Sequence, residues 1–215
     1  MKFFIDTANL DEINKAVALG MCDGVTTNPT LLAKEKGAAE DIYKSICNAV
    51  NGPVCAETIG TTAEEIIEEG YRLGEIDKKI VVKIPCTTQG LLAVKHLEED
   101  HIRTNVTLMF SPMQALLAAK AGATYVCPFI GRLDDAGHQG MELIEQILQI
   151  FHNYSITSEI IVASVRGTLH VQHAALLGAH IATIPFSVIE KLARHPLTDA
   201  GVEKFLKDWK KVQSR

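Results

Sequence analysis

Lys83 sits in the run Ile80-Val-Val-Lys-Ile84, where Ile80, Val82 and Ile84 take one face of an extended strand and Val81 and Lys83 take the other. A lysine projecting into an apolar interior is desolvated, and burial disfavours its ammonium form. A neutral amine of that kind is the nucleophile that Schiff-base chemistry with a ketone or aldehyde requires. The same position also suits an ammonium ion-paired with Asp6 or Glu57, and position alone leaves both readings open.

Other polar residues recur at the ends of β-branched runs. Asp6, Thr27 with Asn28, Glu57, Asn105 with Thr107, Cys127 with Phe129, and Ser164 each close or nearly close such a run. Asn105/Thr107, Cys127/Phe129 and Ser164/Arg166 are i, i+2 pairs, so each pair shares one face of its strand. Arg132 and Arg166 follow two successive runs, and with Ser164 they suit a forked grip on an anion such as a sugar phosphate. For either arginine alone, a surface ion pair is the commoner fate. His170 and His173 lie three apart without a carboxylate to complete a metal site in sequence, and they read as a solvated helix face. Cys86 has no neighbouring base and reads as a packed thiol. Asp134 and Asp135 read as loop residues.

These groups must be positioned by a repeating unit, a short strand followed by an amphipathic helix. The strands fall at residues 2–6, 22–27, 53–58, 80–84, 102–107, 124–130, 159–165 and 180–184. Asn9–Glu12, Thr61–Glu64 and Ser111–Gln114 have the spacing of a reciprocal helix cap, and Pro112 suits a first helical position. Gly20, Gly52, Gly122 and Gly178 stand where helices close. Eight units at about 27 residues each predict a (β/α)8 barrel of the α/β class, whose active site forms at the C-terminal ends of the strands. A doubly wound sheet is the alternative, but no glycine-rich phosphate loop follows any strand. Residues 1–215 are expected to form one domain. A further helix over 197–213 carries Leu197, Val202, Phe205, Leu206 and Trp209 at helical spacing, suited to docking on a neighbouring subunit or back on its own barrel.

The chain has 215 residues, with 21 Lys+Arg against 26 Asp+Glu and a net charge of −5. Dispersed, mildly acidic charge argues against nucleic acid or an anionic membrane as partner. No apolar run approaches the roughly 20 residues that cross a bilayer, and Asp6 interrupts the N-terminal run before a secretory segment forms. Five cysteines without a CxxC pattern fit a reducing cytoplasm.

FIDTAN (4–9), GVTTNPTLL (24–32), VVKIPCTTQGL (81–91), TNVTLMFSPMQA (104–115), PFIGRLDD (128–135) and ASVRG (163–167) occur in that order. Together they resemble the small transaldolase and fructose-6-phosphate aldolase group of class I aldolases. The resemblance implies a (β/α)8 barrel, a Schiff base on Lys83 with Asp6 as general base, and no metal or organic cofactor. Glu57 and Thr107 would hold the proton-shuttling water. Asn28, Asn105 and the neighbouring Thr27 and Cys127 would meet the substrate, and Arg132, Ser164 and Arg166 its phosphate.

The resemblance also implies a homo-oligomer, a decamer of two pentameric rings in which the C-terminal helix reaches a neighbour. Glu57, Phe129 and the Asn105/Thr107 pair resemble transaldolases of the pentose phosphate pathway. In the aldolase members Gln and Tyr usually stand at the first two positions. Cys127 departs from the serine usual in transaldolases, and a thiol is the weaker donor. The alternatives are an aldolase that releases free dihydroxyacetone and a non-catalytic sugar-phosphate binder.

Overall fold

The computed structural model describes residues 1–214. Eight parallel strands, β1 (Lys2–Asp6), β2 (Gly24–Thr26), β3 (Val54–Glu57), β4 (Ile80–Pro85), β5 (Thr104–Met109), β6 (Tyr125–Pro128), β7 (Glu159–Val162) and β8 (Ile181–Ile184), pair in sequence order. β8 closes back on β1. The predicted (β/α)8 barrel is therefore present, and all eight predicted strands exist, most of them trimmed by a residue or more at one or both ends.

Strand alternation divides the apolar residues into two cores. Phe4, Cys55, Val81, Tyr125, Ile161 and Ile181 point inward and fill the barrel, while Ile5, Val25, Val54, Val82, Val106 and Val126 point outward under the helices. The outer layer consists of α1 (Leu10–Ala18), α3 (Ala39–Ala49), α4 (Ala63–Gly74), α5 (Thr88–Glu99), α6 (Pro112–Lys120), α8 (Gly140–Asn153), α9 (Thr168–Leu177) and α10 (Phe186–Leu192). Two short helices, α2 (Pro29–Leu32) and α7 (Ile130–Asp135), sit in the loops after β2 and β6. The last helix, α11 (Pro196–Gln213), follows the eighth unit. No helix among the described residues is long and apolar enough to cross a membrane.

Ser111 and Gln114 form the predicted reciprocal cap with Pro112 in the first helical turn, and Asn9 caps α1. The cap of α4 lies one residue later than expected, on Thr62 with Glu65, because the helix begins at Ala63. Gly20, Gly122 and Gly178 are left-handed as expected. Gly52 is not; a Cβ there would lie 1.8 Å from the carbonyl oxygen of Asp23, so close chain approach requires it.

The start of β5 and the approach to β6 are tied to α5 by one carboxylate. Glu98 Oε1 accepts the backbone N–H groups of Thr104 at 2.7 Å and Thr124 at 2.9 Å, together with both threonine hydroxyls. Glu98→Ala leaves two backbone donors without their acceptor and is expected to cost about 2–3 kcal/mol of unfolding free energy in urea. A loss under about 0.5 kcal/mol, the range of ordinary surface substitutions, would show that water replaces the carboxylate.

Candidate active site

At the C-terminal mouth of the barrel, alternation and register bring inward Asp6, Thr26, Glu57, Lys83 and Thr183. Asp6 pairs in register with Thr26, and Glu57 with Lys83. A cavity of about 240 Å³ opens there, lined among others by Asp6, Asn28, Lys83, Cys127, Phe129, Arg132, Ser164 and Arg166. A larger cavity of about 520 Å³ lies between α2, α3 and α4. Its walls include Leu32, Ile42, Tyr43 and Leu73, and of the predicted site residues only Glu57 reaches it. The smaller cavity holds the amine, one carboxylate and both arginines, so the chemistry belongs there.

Lys83 is 2% exposed. Its Nζ lies 2.9 Å from Glu57 Oε2 and donates to the carbonyl oxygen of Thr27 at 3.0 Å. Burial works against the ammonium, but the neighbouring Glu57 and Asp6 outweigh it, so the pKa stands above the ordinary lysine value. Burial pushes the Cys127 thiol itself up to about 12. It is uncharged at neutral pH, so the two carboxylates supply the stabilising charge. Of the two arrangements open to this lysine, the structure shows the contact with Glu57, at 2.9 Å.

Asp6 behaves differently. Burial is the largest influence on it and raises its pKa; Lys83 and the hydrogen bond from Thr26 Oγ1, at 3.0 Å, only partly offset this. A carboxyl so raised is a stronger base when ionised than an ordinary aspartate, facing a cation it does not directly pair with.

On β5, Asn105 lies in register with Lys83 and Thr107 with Pro85. Thr107 Oγ1 and Asn105 Oδ1 are buried and have no hydrogen-bond partner among the described residues. Asn105 Nδ2 meets Cys55 Sγ at 3.4 Å. Buried oxygens of this kind fit a water or a substrate hydroxyl. Toward β6 the strand bulges between Val106 and Met109, around Thr107 itself, with Leu108 in a left-handed conformation at φ 54°. Such distortion of a non-glycine residue is concentrated near functional sites.

Asn28 caps α2 by accepting from Leu31 N–H, which fixes its side chain at the cavity wall. The Phe129 ring lies 5.9 Å from Lys83 Nζ and 5.1 Å from the Arg132 guanidinium carbon. Cys127 is buried beside them. Ser164 is left-handed at φ 62°. Arg166 reaches the cavity but is also paired with Asp135 at 2.6 Å, so the surface ion pair coexists with the inward placement.

Thr27 is a correction. β2 ends at Thr26, so Thr27 faces away from the cavity and its hydroxyl donates to the Cys55 carbonyl at 2.7 Å. It meets the amine only through its backbone oxygen. Thr26 is the inward threonine, hydrogen-bonded to Asp6 and to Thr183. Both Thr26 and Thr183 were missed, although Thr183 shares the alternating face of Ile181. Asp134 and Asp135 are not loop residues but end α7, and His170 is not a solvated face residue but pairs with Asp134 at 3.0 Å.

A family model described as transaldolase/fructose-6-phosphate aldolase matches residues 3–215. A protein of Desulfosudis oleivorans named probable transaldolase is 60% identical over 213 residues, covering 99% of this chain and 100% of its own. A probable transaldolase of Syntrophobacter fumaroxidans is 61% identical over 219 residues, covering 100% and 99%. The probable transaldolase 1 of Bacillus anthracis is 60% identical over 215 residues, with both chains covered completely.

Proposed function

The chain belongs to the transaldolase/fructose-6-phosphate aldolase family, and on that premise we propose that it is a transaldolase moving a dihydroxyacetone unit between sugar phosphates. The donor is sedoheptulose 7-phosphate or fructose 6-phosphate; the acceptor is glyceraldehyde 3-phosphate or erythrose 4-phosphate. The observation that carries this reading is the Lys83–Glu57 pair, sequestered in the barrel mouth with Asp6 beside it and two arginines at the rim.

Proton transfer to Glu57 frees the Lys83 lone pair, which attacks the C2 carbonyl of the ketose. Glu57, now protonated, returns its proton to the carbinolamine hydroxyl, water leaves, and a protonated imine forms. Asp6 then accepts the C4 hydroxyl proton. The C3–C4 electron pair flows into the imine, the aldose departs, and a three-carbon enamine remains bonded to Lys83. Attack of that enamine on the acceptor aldehyde reverses these steps, and water releases the new ketose. Thr107 and Glu57 hold the shuttling water, Asn28 and Asn105 bind donor hydroxyls, and Arg132, Ser164 and Arg166 bind the phosphate.

Phe129 supports transfer over simple cleavage, because it offers a ring rather than a hydroxyl near Lys83. An aldolase must protonate the enamine, and a phenol in that place supplies a proton source. Fructose 6-phosphate offered with and without erythrose 4-phosphate separates the readings. Acceptor-dependent consumption is expected of a transaldolase; dihydroxyacetone released without acceptor indicates the aldolase, and no consumption under either condition indicates a binder.

We also propose that the single barrel assembles with copies of itself through α11. No residue of that helix is buried, and Phe205 at 73% and Trp209 at 59% exposure present a stripe that its own barrel leaves uncovered. Light scattering is expected to give a multiple of the chain mass, and the mass of one chain would exclude this. The five free cysteines fit the reducing cytoplasm expected of such an enzyme.

A further inference from the structure

We propose that the Asp134–His170 pair is the brace that fixes the phosphate-binding arm, and that His170 is therefore a positioning residue for Arg166; this rests on the phosphate role proposed above for that arginine. α7 carries Arg132 toward the cavity and ends in Asp134 and Asp135. Both aspartates reach across to the segment after β7. His170 Nε2 lies 3.0 Å from Asp134 Oδ2, and His170 Nδ1 accepts the backbone N–H of Arg166 at 3.1 Å. Since Nδ1 accepts, a neutral ring carries its proton on Nε2, the nitrogen that lies beside Asp134 Oδ2. Asp134 is itself anchored, its Oδ1 accepting from Gly140 N–H at 2.8 Å.

The segment being held needs such support. Ser164 is left-handed, and Gly131 of α7 packs so tightly beneath it that a Cβ there would lie 2.1 Å from the Ser164 carbonyl oxygen. The Asp135–Arg166 ion pair cannot fix the arm alone, because its side chains are 61% and 56% exposed and exposed pairs contribute little. His170 is far less exposed, at 20%, and it holds the Arg166 backbone rather than the mobile end of the side chain. The pair thus ties the Arg166 backbone to the end of α7.

Competitive inhibition by inorganic phosphate reads the arm directly. His170→Ala is expected to raise the phosphate inhibition constant about fivefold, the loss of one hydrogen bond. The KM for fructose 6-phosphate should rise by a similar factor, with a smaller change in kcat. His170→Gln, which keeps an acceptor and a donor, should recover most of the loss and guards against a folding defect in the alanine variant. In an Arg166→Ala background, His170→Ala should add nothing further, since the brace has no arm to hold. Wild-type phosphate inhibition in His170→Ala, beside a weakened Arg166→Ala, overturns the brace alone, as does full additivity of the two substitutions. Unchanged inhibition in Arg166→Ala overturns the phosphate reading and the brace with it.

Discussion

Lys83→Ala and Lys83→Arg are both expected to lose dihydroxyacetone transfer, with kcat reduced by at least about 10⁴-fold, as befits removal of a covalent nucleophile. The two substitutions separate chemistry from structure. Alanine leaves Glu57 without its 2.9 Å partner in a site where both side chains are nearly enclosed, and breaking a buried pair costs about 3–5 kcal/mol. Arginine keeps a cation opposite Glu57 but has no amine able to form an imine. Equal loss of turnover with unequal loss of stability is the expected signature, and appreciable turnover in either variant would remove Lys83 from the mechanism. The pair also predicts a sign for pH. Because the folded state raises the Lys83 pKa, its contribution to stability is fully present below the unfolded lysine value and is lost as pH rises through the folded one.

Asp6→Asn should lower kcat/KM by about 10²–10⁴-fold, the usual range for a positioned general base. The amide can still accept from Thr26 Oγ1, so the fold is preserved. Burial raises the Asp6 pKa, so wild-type kcat/KM should begin to fall on acidification at a pH above the ordinary carboxylate range, and that limb should disappear from the residual activity of Asp6→Asn. Stability runs the other way. A carboxyl that binds its proton more tightly when folded destabilises the fold as pH rises from its unfolded value through the folded one. At neutral pH Asp6→Asn is therefore expected to be as stable as wild type or more so, activity having been obtained at some cost to the fold. An acid limb identical in wild type and variant would assign that ionisation elsewhere.

The barrel and the inward face of Lys83 were legible because alternation has a period of two and the strands are β-branched. Thr27 was misassigned for the same reason: with that period, a one-residue error at the end of β2 moves the inward position from Thr26 to Thr27. The charge state of Lys83 was not legible. Burial and carboxylate contact act in opposite directions on a lysine, and which prevails depends on a 2.9 Å distance to Glu57 that strand register sets and local sequence does not. The bracing of Arg166 was missed because Asp134 and His170 lie 36 positions apart and meet only when α7 and α9 pack around adjacent strand ends. The stripe on α11 was visible, but whether the barrel would cover it depends on the path of the chain after Leu192.

Borohydride trapping tests the central claim most directly. Fructose 6-phosphate is added without acceptor, the imine is reduced, and the digested protein is mapped by mass spectrometry. A reduced sugar-derived adduct is expected on the peptide carrying Lys83 and on no other lysine. An active preparation that yields an unmodified Lys83 peptide, or an adduct on a different lysine, would contradict the proposed Schiff base.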